Sequence, residues 1–283
     1  MSPDAYAVVG NPVEHSQSPF IHAAFARQAG HSITYARVLA PLDGFADTMR
    51  EFAASGARGC NVTVPFKFEA HDLCSQLTAR AALAGAVNTV SFDASGWRGD
   101  NTDGVGLARD IAANAGVAIR GARILMLGAG GAAAGALGAL LGEKPAAVVV
   151  ANRSADKARA LVERHAANAR ELGVTLTASA LDECPQGFDV VVNATAASLA
   201  GAELNLDARV LRAGALAVDM MYGAAARPFL EWARGCGALA RDGLGMLVEQ
   251  AAESFFVWRG VRVSTGPVLA ELRERIDHRL SAK

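Results

Sequence analysis

The stretch Arg123–Ala133, RILMLGAGGAA, joins a short apolar run to a cluster of glycines and then to small, helix-forming residues. The run predicts a buried strand, the glycines a tight turn, and the following residues a helix. Glycine lets a diphosphate approach the backbone amides, and the start of the helix adds unpaired N–H donors. The glycines by themselves would also fit a simple packing turn. Strand, turn and helix in this order indicate a dinucleotide-binding unit.

Strands and helices alternate on both sides of this turn. Helices are predicted from Gly104 to Ala115, Ser154 to Ala169, Leu244 to Arg259 and Pro267 to Leu280. Repeated βα units imply largely parallel sheets, because parallel strands need crossover connections. The fold class is therefore α/β, with an N-terminal α/β domain and a Rossmann-type, doubly wound parallel sheet. The predicted strands are Ala5–Val9, Ile33–Leu39, Gly59–Val64, Asn88–Phe92 (pairing near Trp97), Arg123–Leu127, Ala146–Ala151, Phe188–Asn193 and Leu216–Met220.

Composition narrows the class of protein. The chain has 283 residues, 52% of them hydrophobic and 19% charged, with a formal net charge of −1. These values favour a folded core, and without a long Lys/Arg run neither nucleic acid nor a membrane surface is an expected partner. No signal peptide is evident at the N-terminus. The scattered cysteines argue against a disulfide scaffold or a metal site and fit a reducing, cytoplasmic location; they are Cys60, Cys74, Cys184 and Cys236.

The end of the second strand in the second half favours NADP over NAD. NAD-binding enzymes commonly carry an acidic residue there for the ribose 2′-hydroxyl, whereas this chain has Asn152–Ser154. Arg153 and Lys157 would attract a 2′-phosphate, and Ser154 could add its hydroxyl. Both cations could instead be ordinary solvated charges, but the missing acid makes NADP the better prediction.

Polar residues gather at the ends of the predicted strands in the first half. They lie in the segments 11–19 (NPVEHSQSP), 61–67 (NVTVPFK), 86–89 (AVNT) and 99–104 (GDNTDG). Ligands of open α/β sheets bind where strands end, so these segments can converge on one crevice. Together with 243–251 (GLGMLVEQA) they closely resemble the shikimate dehydrogenase family, over nearly the whole chain and in the same order.

The resemblance implies NADPH-dependent reduction of 3-dehydroshikimate to shikimate in aromatic amino-acid biosynthesis. It also implies a substrate-binding and catalytic domain of residues 1–103 plus 243–283, and an NADP-binding Rossmann domain of residues 104–242. Lys67 and Asp103 match the catalytic pair. Substrate contacts are expected from Lys67 as well, and from Ser16 and Ser18 (carboxylate), Thr63, Asn88, Asp103 and Gln250 (ring hydroxyls) and Tyr222 (edge of the site). Cofactor contacts are expected from Gly128, Ala129, Gly130, Gly131, Ala132, Asn152, Arg153, Ser154, Lys157, Thr195, Met220, Gly243 and Met246.

Elementary chemistry supports the catalytic pair independently. Hydride transfer to a ketone creates an alkoxide, which needs a proton donor or a fixed positive charge beside it. Lys67 can supply both, while Asp103 can orient the ammonium and accept a hydrogen bond from a substrate hydroxyl. An isolated lysine after a strand is usually a surface residue, but the NVTVPFK context favours the functional interpretation. His15 and His22 are interpreted as structural residues.

Some alternatives stay open. Ala196 and Ala197 follow Thr195 where the family commonly has serine, and Ala23 stands where it often has asparagine.

A quinate/shikimate dehydrogenase of broad specificity would share the catalytic residues, although Asn152–Ser154 argues against NAD. A non-catalytic ligand sensor on the same scaffold is opposed by the retained catalytic pair and glycine turn. Both a monomer and a homodimer fit the sequence, and so does closure of the two domains over the substrate.

Overall fold

The computed structural model describes residues 3–195 and 206–281. The first half forms a six-stranded sheet in the order β2-β1-β3-β5-β6-β4. Its elements in chain order are β1 (Asp4–Gly10), α1 (Ser18–Ala29), β2 (Ile33–Leu39), α2 (Phe45–Ala54), β3 (Gly59–Val62), α3 (Lys67–Leu73), β4 (Gln76–Leu77), α4 (Ala79–Ala84), β5 (Thr89–Asp93) and β6 (Gly96–Asp100).

This first sheet is mixed rather than largely parallel. β1 runs parallel to β2 and β3, but β5 is antiparallel to both β3 and β6. The predicted pairing of the fourth strand with the stretch around Trp97 is confirmed, since Phe92 pairs with Trp97. Only the residues numbered 94 and 95 separate β5 from β6, so the connection is a hairpin and cannot be a crossover. The start of β5 and the end of β6 therefore lie at the sheet edge where β1 and β3 end.

The second half forms another six-stranded sheet, in the order β12-β11-β10-β7-β8-β9, in which each strand runs parallel to its neighbours. The strand order reverses beside β7, as the doubly wound prediction requires. The remaining elements are α5 (Asp103–Arg109), β7 (Arg123–Leu127), α6 (Gly131–Gly142), β8 (Ala147–Asn152), α7 (Ala155–Leu172), β9 (Thr175–Ala180), β10 (Phe188–Asn193), β11 (Leu211–Asp219), α8 (Arg227–Gly235), β12 (Leu239–Arg241), α9 (Leu244–Arg259) and α10 (Gly266–Ser281).

Helices cover both faces of this second sheet. Ile124 and Met126 of β7 belong to the cluster that α6 and α7 complete, whereas Leu125 and Leu127 belong to the cluster on the α8 side. A strand buried on both faces reads as a continuous apolar run. This is why RILML could be recognised without any polar alternation.

The C-terminal helices pack against the first half of the chain. Phe25 of α1 shares one apolar cluster with Phe255 of α9 and Leu272 of α10. α5 lies between α6 and α9 and contacts both helices. The predicted helix from Gly104 is thus present, beginning at Asp103, although its last turn, Asp110–Asn114, is a π-helix.

In the part of the chain that the structure describes, no helix is long and apolar enough to cross a membrane. The four cysteines there are all free thiols.

Candidate active site

Two helices bring the predicted catalytic pair together at the edge where β1 and β3 end. Lys67 begins α3, just after the β3 loop, and Asp103 begins α5, just after β6. Lys67 Nζ lies 2.5 Å from Asp103 Oδ2, and the side chains are only 13% and 6% exposed. The arrangement holds a positive charge in a nearly dry position, with one carboxylate oxygen fixing it.

Asn88 holds the other oxygen of that carboxylate. Its Nδ2 donates to Asp103 Oδ1 at 2.8 Å and lies 3.3 Å from Gln250 Oε1. Asn88 directly precedes β5, so the antiparallel strand, rather than a parallel one, delivers it to this edge. Gln250 comes from α9, near the end of the chain. The structure therefore gathers four of the predicted substrate-site residues into one hydrogen-bonded group.

The predicted carboxylate site lies after β1. Ser16 Oγ donates to Ser18 Oγ at 3.2 Å, and the Arg37 guanidinium donates to the Ser16 carbonyl at 2.6 and 3.0 Å. Burial raises the pKa of Tyr222, and a hydrogen bond with the Gln17 backbone and the charge of Arg37 offset part of the rise. Tyr222 thus adjoins the serine segment. Arg37 was missed from the sequence, because a basic residue inside a predicted strand gives no signal of its own.

Thr63 stands between this segment and Lys67. Its backbone N–H donates to the Val9 carbonyl at 2.9 Å, which holds the NVTVPFK loop against the end of β1. The side chain is half-buried. The loop therefore carries Thr63 and Lys67 along the same edge.

The glycine turn has the geometry of a diphosphate cradle. Gly128 has a φ of 103°, and a Cβ there would lie 3.0 Å from the Ala194 carbonyl oxygen, so a side chain would be strained. A Cβ on Gly130 would meet nothing within 4 Å and would project into open space. Gly131 begins α6, and its Cβ position lies 3.5 Å from Lys67 Cβ. The turn is thus open towards a ligand and directly beside the predicted proton donor.

A cleft of about 470 Å³ extends from this turn to the end of β8. Six further residues line it without having been predicted: Phe68, Ala84, Ala134, Ala160, Leu161 and Arg164. Arg164 Nη1 also donates to the Ala84 carbonyl at 3.2 Å, joining α7 to α4. The predicted residues in its wall are Ala129, Gly130, Asn152, Arg153, Ser154 and Lys157.

The groups at the far end of this cleft fit a 2′-phosphate. Arg153 and Lys157 are exposed, and within the described ranges neither makes an ion pair with a carboxylate. Asn152 Nδ2 donates to the Ser154 carbonyl at 3.0 Å, which shapes the turn between them. Two basic side chains without a carboxylate partner, next to the amide groups at the start of α7, suit the binding of a phosphate monoester.

The remaining predicted cofactor residues flank the turn. Thr195 follows β10, with its Cγ2 3.2 Å from the Cβ position of Gly128. Met220 and Met246 pack in the cluster that contains α6, and the Gly243 N–H donates to the Met221 carbonyl at 2.8 Å. Ala132 lies in the first turn of α6. Ala196 and Ala197, the departures from the family pattern, lie outside the described residues.

The two histidines near the serine segment differ. His22 is fully buried, and its ring stacks on Tyr35 with centroids 4.3 Å apart. His15 is exposed, and its backbone carbonyl accepts a hydrogen bond from Gln17 Nε2 at 2.8 Å. Where the structure describes the chain, no cluster of three His, Cys, Asp or Glu side chains could hold a metal ion.

Comparison with known proteins agrees with the geometry. The family model for the shikimate dehydrogenase substrate-binding domain matches residues 8–90. The model for shikimate/quinate 5-dehydrogenase matches residues 108–219, and that for the shikimate 5′-dehydrogenase C-terminal domain matches residues 243–273.

Individual relatives cover almost the full chain. A shikimate dehydrogenase (NADP⁺) of Methylibium petroleiphilum is 65% identical over 280 residues, which are 97% of this chain and 95% of that protein. The crystal structure of the Ael1 enzyme of Pseudomonas putida superimposes with a TM-score of 0.84 at 42% identity, over 95% and 98% of the two chains. Shikimate 5-dehydrogenase of Thermus thermophilus, solved with NADP(H) and shikimate, gives 0.81 at 30% identity, over 96% and 99%.

Fold, cleft and relatives together define a two-sheet, NADP-dependent oxidoreductase. Its two most distinctive local features are the basic far end of the cleft and the buried Lys67–Asp103 ion pair. The chain belongs to the shikimate dehydrogenase family.

Proposed function

We propose that this chain catalyses the reversible reduction of 3-dehydroshikimate to shikimate with NADPH. We propose further that Lys67 donates the proton and that Asp103 holds the Lys67 ammonium in place. The observation that supports this most directly is the 2.5 Å contact between Lys67 Nζ and Asp103 Oδ2. The pair stands beside the start of α6, where the dinucleotide turn lies. The proposed proton donor therefore lies next to the turn that would hold the hydride-donating cofactor.

Lys67 acts on the oxygen of the reacting carbonyl. The bound cofactor supplies the hydride in reduction and accepts it in oxidation. As negative charge develops on the oxygen, the Lys67 ammonium stabilises it and donates a proton. Asp103 keeps the ammonium in place through Oδ2 and accepts a hydrogen bond from a neighbouring ring hydroxyl. Because both groups are nearly dry, their charges act in a medium of low dielectric.

The other site residues bind and orient. Ser16 and Ser18 donate to the substrate carboxylate; Thr63, Asn88 and Gln250 contact ring hydroxyls; Tyr222 closes the edge of the site. Arg153, Lys157 and Ser154 bind the 2′-phosphate. The remaining contacts to the dinucleotide come from Gly128, Ala129, Gly130, Gly131, Ala132, Asn152, Thr195, Met220, Gly243 and Met246.

The domain limits belong to the same proposal. Residues 1–103 with 243–283 form the substrate-binding and catalytic domain, and residues 104–242 form the NADP-binding domain. The packing of α9 and α10 on α1 supports the assignment of the C-terminal helices. The four free thiols fit a reducing compartment, and we propose a cytoplasmic location.

Replacement of Lys67 tests the proton-transfer role. Lys67→Ala should retain shikimate binding in calorimetry but lose roughly 10²–10⁴-fold in kcat, the range for loss of a general acid. Lys144→Ala, at an exposed lysine just after α6, is the matched control and should keep full turnover. Near-normal turnover of Lys67→Ala would exclude Lys67 as the proton donor.

Substrate range is tested by a four-way assay. Purified protein is supplied with shikimate or quinate, each with NADP⁺ or NAD⁺. The proposal expects shikimate with NADP⁺ to give the highest kcat/KM. Comparable values for quinate would favour the broad-specificity alternative, since the proposed catalytic residues would serve both substrates.

A further inference from the structure

A serine on α9 lies at the centre of a buried hydrogen-bond network behind the proposed site. Ser254 is fully buried, one helical turn after Gln250. Its Oγ lies 2.8 Å from Thr89 Oγ1 and 3.0 Å from Thr102 Oγ1, and it accepts a hydrogen bond from Asn61 Nδ2 at 3.0 Å. One hydroxyl therefore ties α9 to β3, to the start of β5 and to the loop before α5.

The same network determines which way the Asn88 carboxamide faces. The backbone N–H of Thr102 can only donate, and it lies 2.9 Å from Asn88 Oδ1. The amino group therefore faces the Asp103 carboxylate, which can only accept when ionised. A flipped carboxamide would set oxygen against carboxylate and amino group against N–H. Only one orientation of Asn88 is compatible with its surroundings.

The number of protons available on each group determines which group donates in each hydrogen bond of this network. Each hydroxyl has a single proton, and Ser254 donates its own to the Gln250 carbonyl at 3.0 Å. Because Ser254 has no second proton, its Oγ can only accept at its contacts with Thr102 and Thr89. Thr102 Oγ1 in turn accepts from Asn88 Nδ2 at 3.0 Å. The chain of donors runs from Asn88 through Thr102 to Ser254. It uses the amino proton of Asn88 that does not bind Asp103, and Thr102 shares that proton with the more distant Gln250 Oε1, 3.3 Å from Nδ2.

We propose that Ser254 is a positioning residue for the reaction. Its hydroxyl holds the Thr102 hydroxyl, which holds the Asn88 amino group in line with Asp103 Oδ1. Without it, the Thr102 proton can turn to Asn88 Oδ1 or to Gln250 Oε1, at 3.2 and 3.3 Å. Asn88 then loses its fixed geometry, and Asp103 loses the second of its two restraints. This inference rests on the proposed roles of Asn88 and Asp103.

Ser254→Ala tests the inference through its split between kinetic constants. We expect kcat/KM for shikimate to fall about tenfold, mainly in kcat, as loss of one net hydrogen bond would give. The KM for NADP⁺ should stay unchanged, because the glycine turn is not part of the network. A purely structural role would lower the thermal midpoint and leave the kinetic constants intact, which would overturn the inference. Thr48→Val is the control, since its hydroxyl donates to the Gly44 carbonyl at 2.9 Å within α2.

A double-mutant cycle with Thr102→Val tests the coupling. If the two hydroxyls act in series, the double variant should lose little more kcat than either single variant. Losses that multiply would show that the hydroxyls act separately and would refute the positioning chain.

Asn88→Ala separates this inference from the residue assignment on which it rests. Full turnover in that variant would show that the role given to Asn88 is wrong, and the inference would fall with it. Loss of turnover in Asn88→Ala with normal turnover in Ser254→Ala would refute the positioning role alone.

Discussion

A buried imidazole should make this protein sensitive to acid, and replacing it should remove part of that sensitivity. The ring of His22 stacks on Tyr35 and lies 5.4 Å from the Trp258 ring, between centroids. Among the described residues neither ring nitrogen makes a hydrogen bond of normal geometry, and the nearby Asn61 side chain offsets only part of the effect of burial. Burial lowers the pKa of His22 from 6.5 to about 3. The folded protein therefore holds this histidine neutral at every moderately acidic pH.

The sign and size of the effect follow from linkage. Because the pKa is lower in the folded state, the unfolded chain binds the proton first as pH falls below about 6.5. The stability contribution is complete above that pH and is lost progressively down to about pH 3. Each pH unit costs about 1.4 kcal/mol, so the interval from pH 6.5 to 5.0 removes roughly 2 kcal/mol of the free energy of unfolding.

Urea unfolding of wild type and His22→Phe at pH 7.5 and pH 5.0, followed by tryptophan fluorescence, measures this. Carboxylates titrate in both proteins, so the difference between their pH-dependent losses isolates His22. The variant should lose about 2 kcal/mol less than wild type over this interval. His15→Gln, at the exposed histidine, should follow wild type. Equal losses in wild type and His22→Phe would show that the buried ring is protonated in the folded state or hydrated.

Two other substitutions probe the cofactor half. Arg153→Ala should raise the KM for NADP⁺ roughly tenfold or more, the value of a charged hydrogen bond, with little change for NAD⁺; equal effects on both would remove the 2′-phosphate argument. Gly135→Ala should lower kcat by at least about tenfold, because a Cβ there would lie 2.7 Å from Asn101 Oδ1 and 3.0 Å from Asp103 Oδ2. Gly142→Ala, where a Cβ meets nothing within 4 Å, is the control in the same helix, and equal activity of the two variants would contradict the reasoning.

Local patterns made the glycine turn and the main strands of both sheets predictable. β7 was recognised because a doubly covered strand is continuously apolar and a glycine cluster follows it. Three strands escaped notice for physical reasons. β4 and β12 are only two and three residues long, and β9 is a sheet-edge strand with three polar residues, TLTASA. Short or half-solvated strands carry too little apolar pattern to be seen.

In the candidate site, too, local motifs predicted some features, whereas others depend on long-range packing. Lys67 and Asp103 could be named because each lies in a segment with several distinctive neighbours. Their contact, and the direction in which Asn88 faces, depend on the antiparallel orientation of β5 and β6, whose pairing was predicted but whose direction was not. Ser254 stands 152 positions from Thr102, and no local spacing links two such hydroxyls. The sequence predicts which groups react, while the long-range packing that orients them appears only in three dimensions.

The contact between α6 and the catalytic pair has a consequence for how this enzyme can be rebuilt. The helix that starts at the dinucleotide turn touches Lys67 at Gly131, and at Gly135 it lies against Asp103. The cofactor-binding domain therefore forms part of the surface against which the proposed proton-transfer groups pack. Modules taken from two relatives can be exchanged productively only if this glycine face is carried over with its opposing residues. Exchanging the cofactor-binding domain is therefore expected to change turnover as well as cofactor preference.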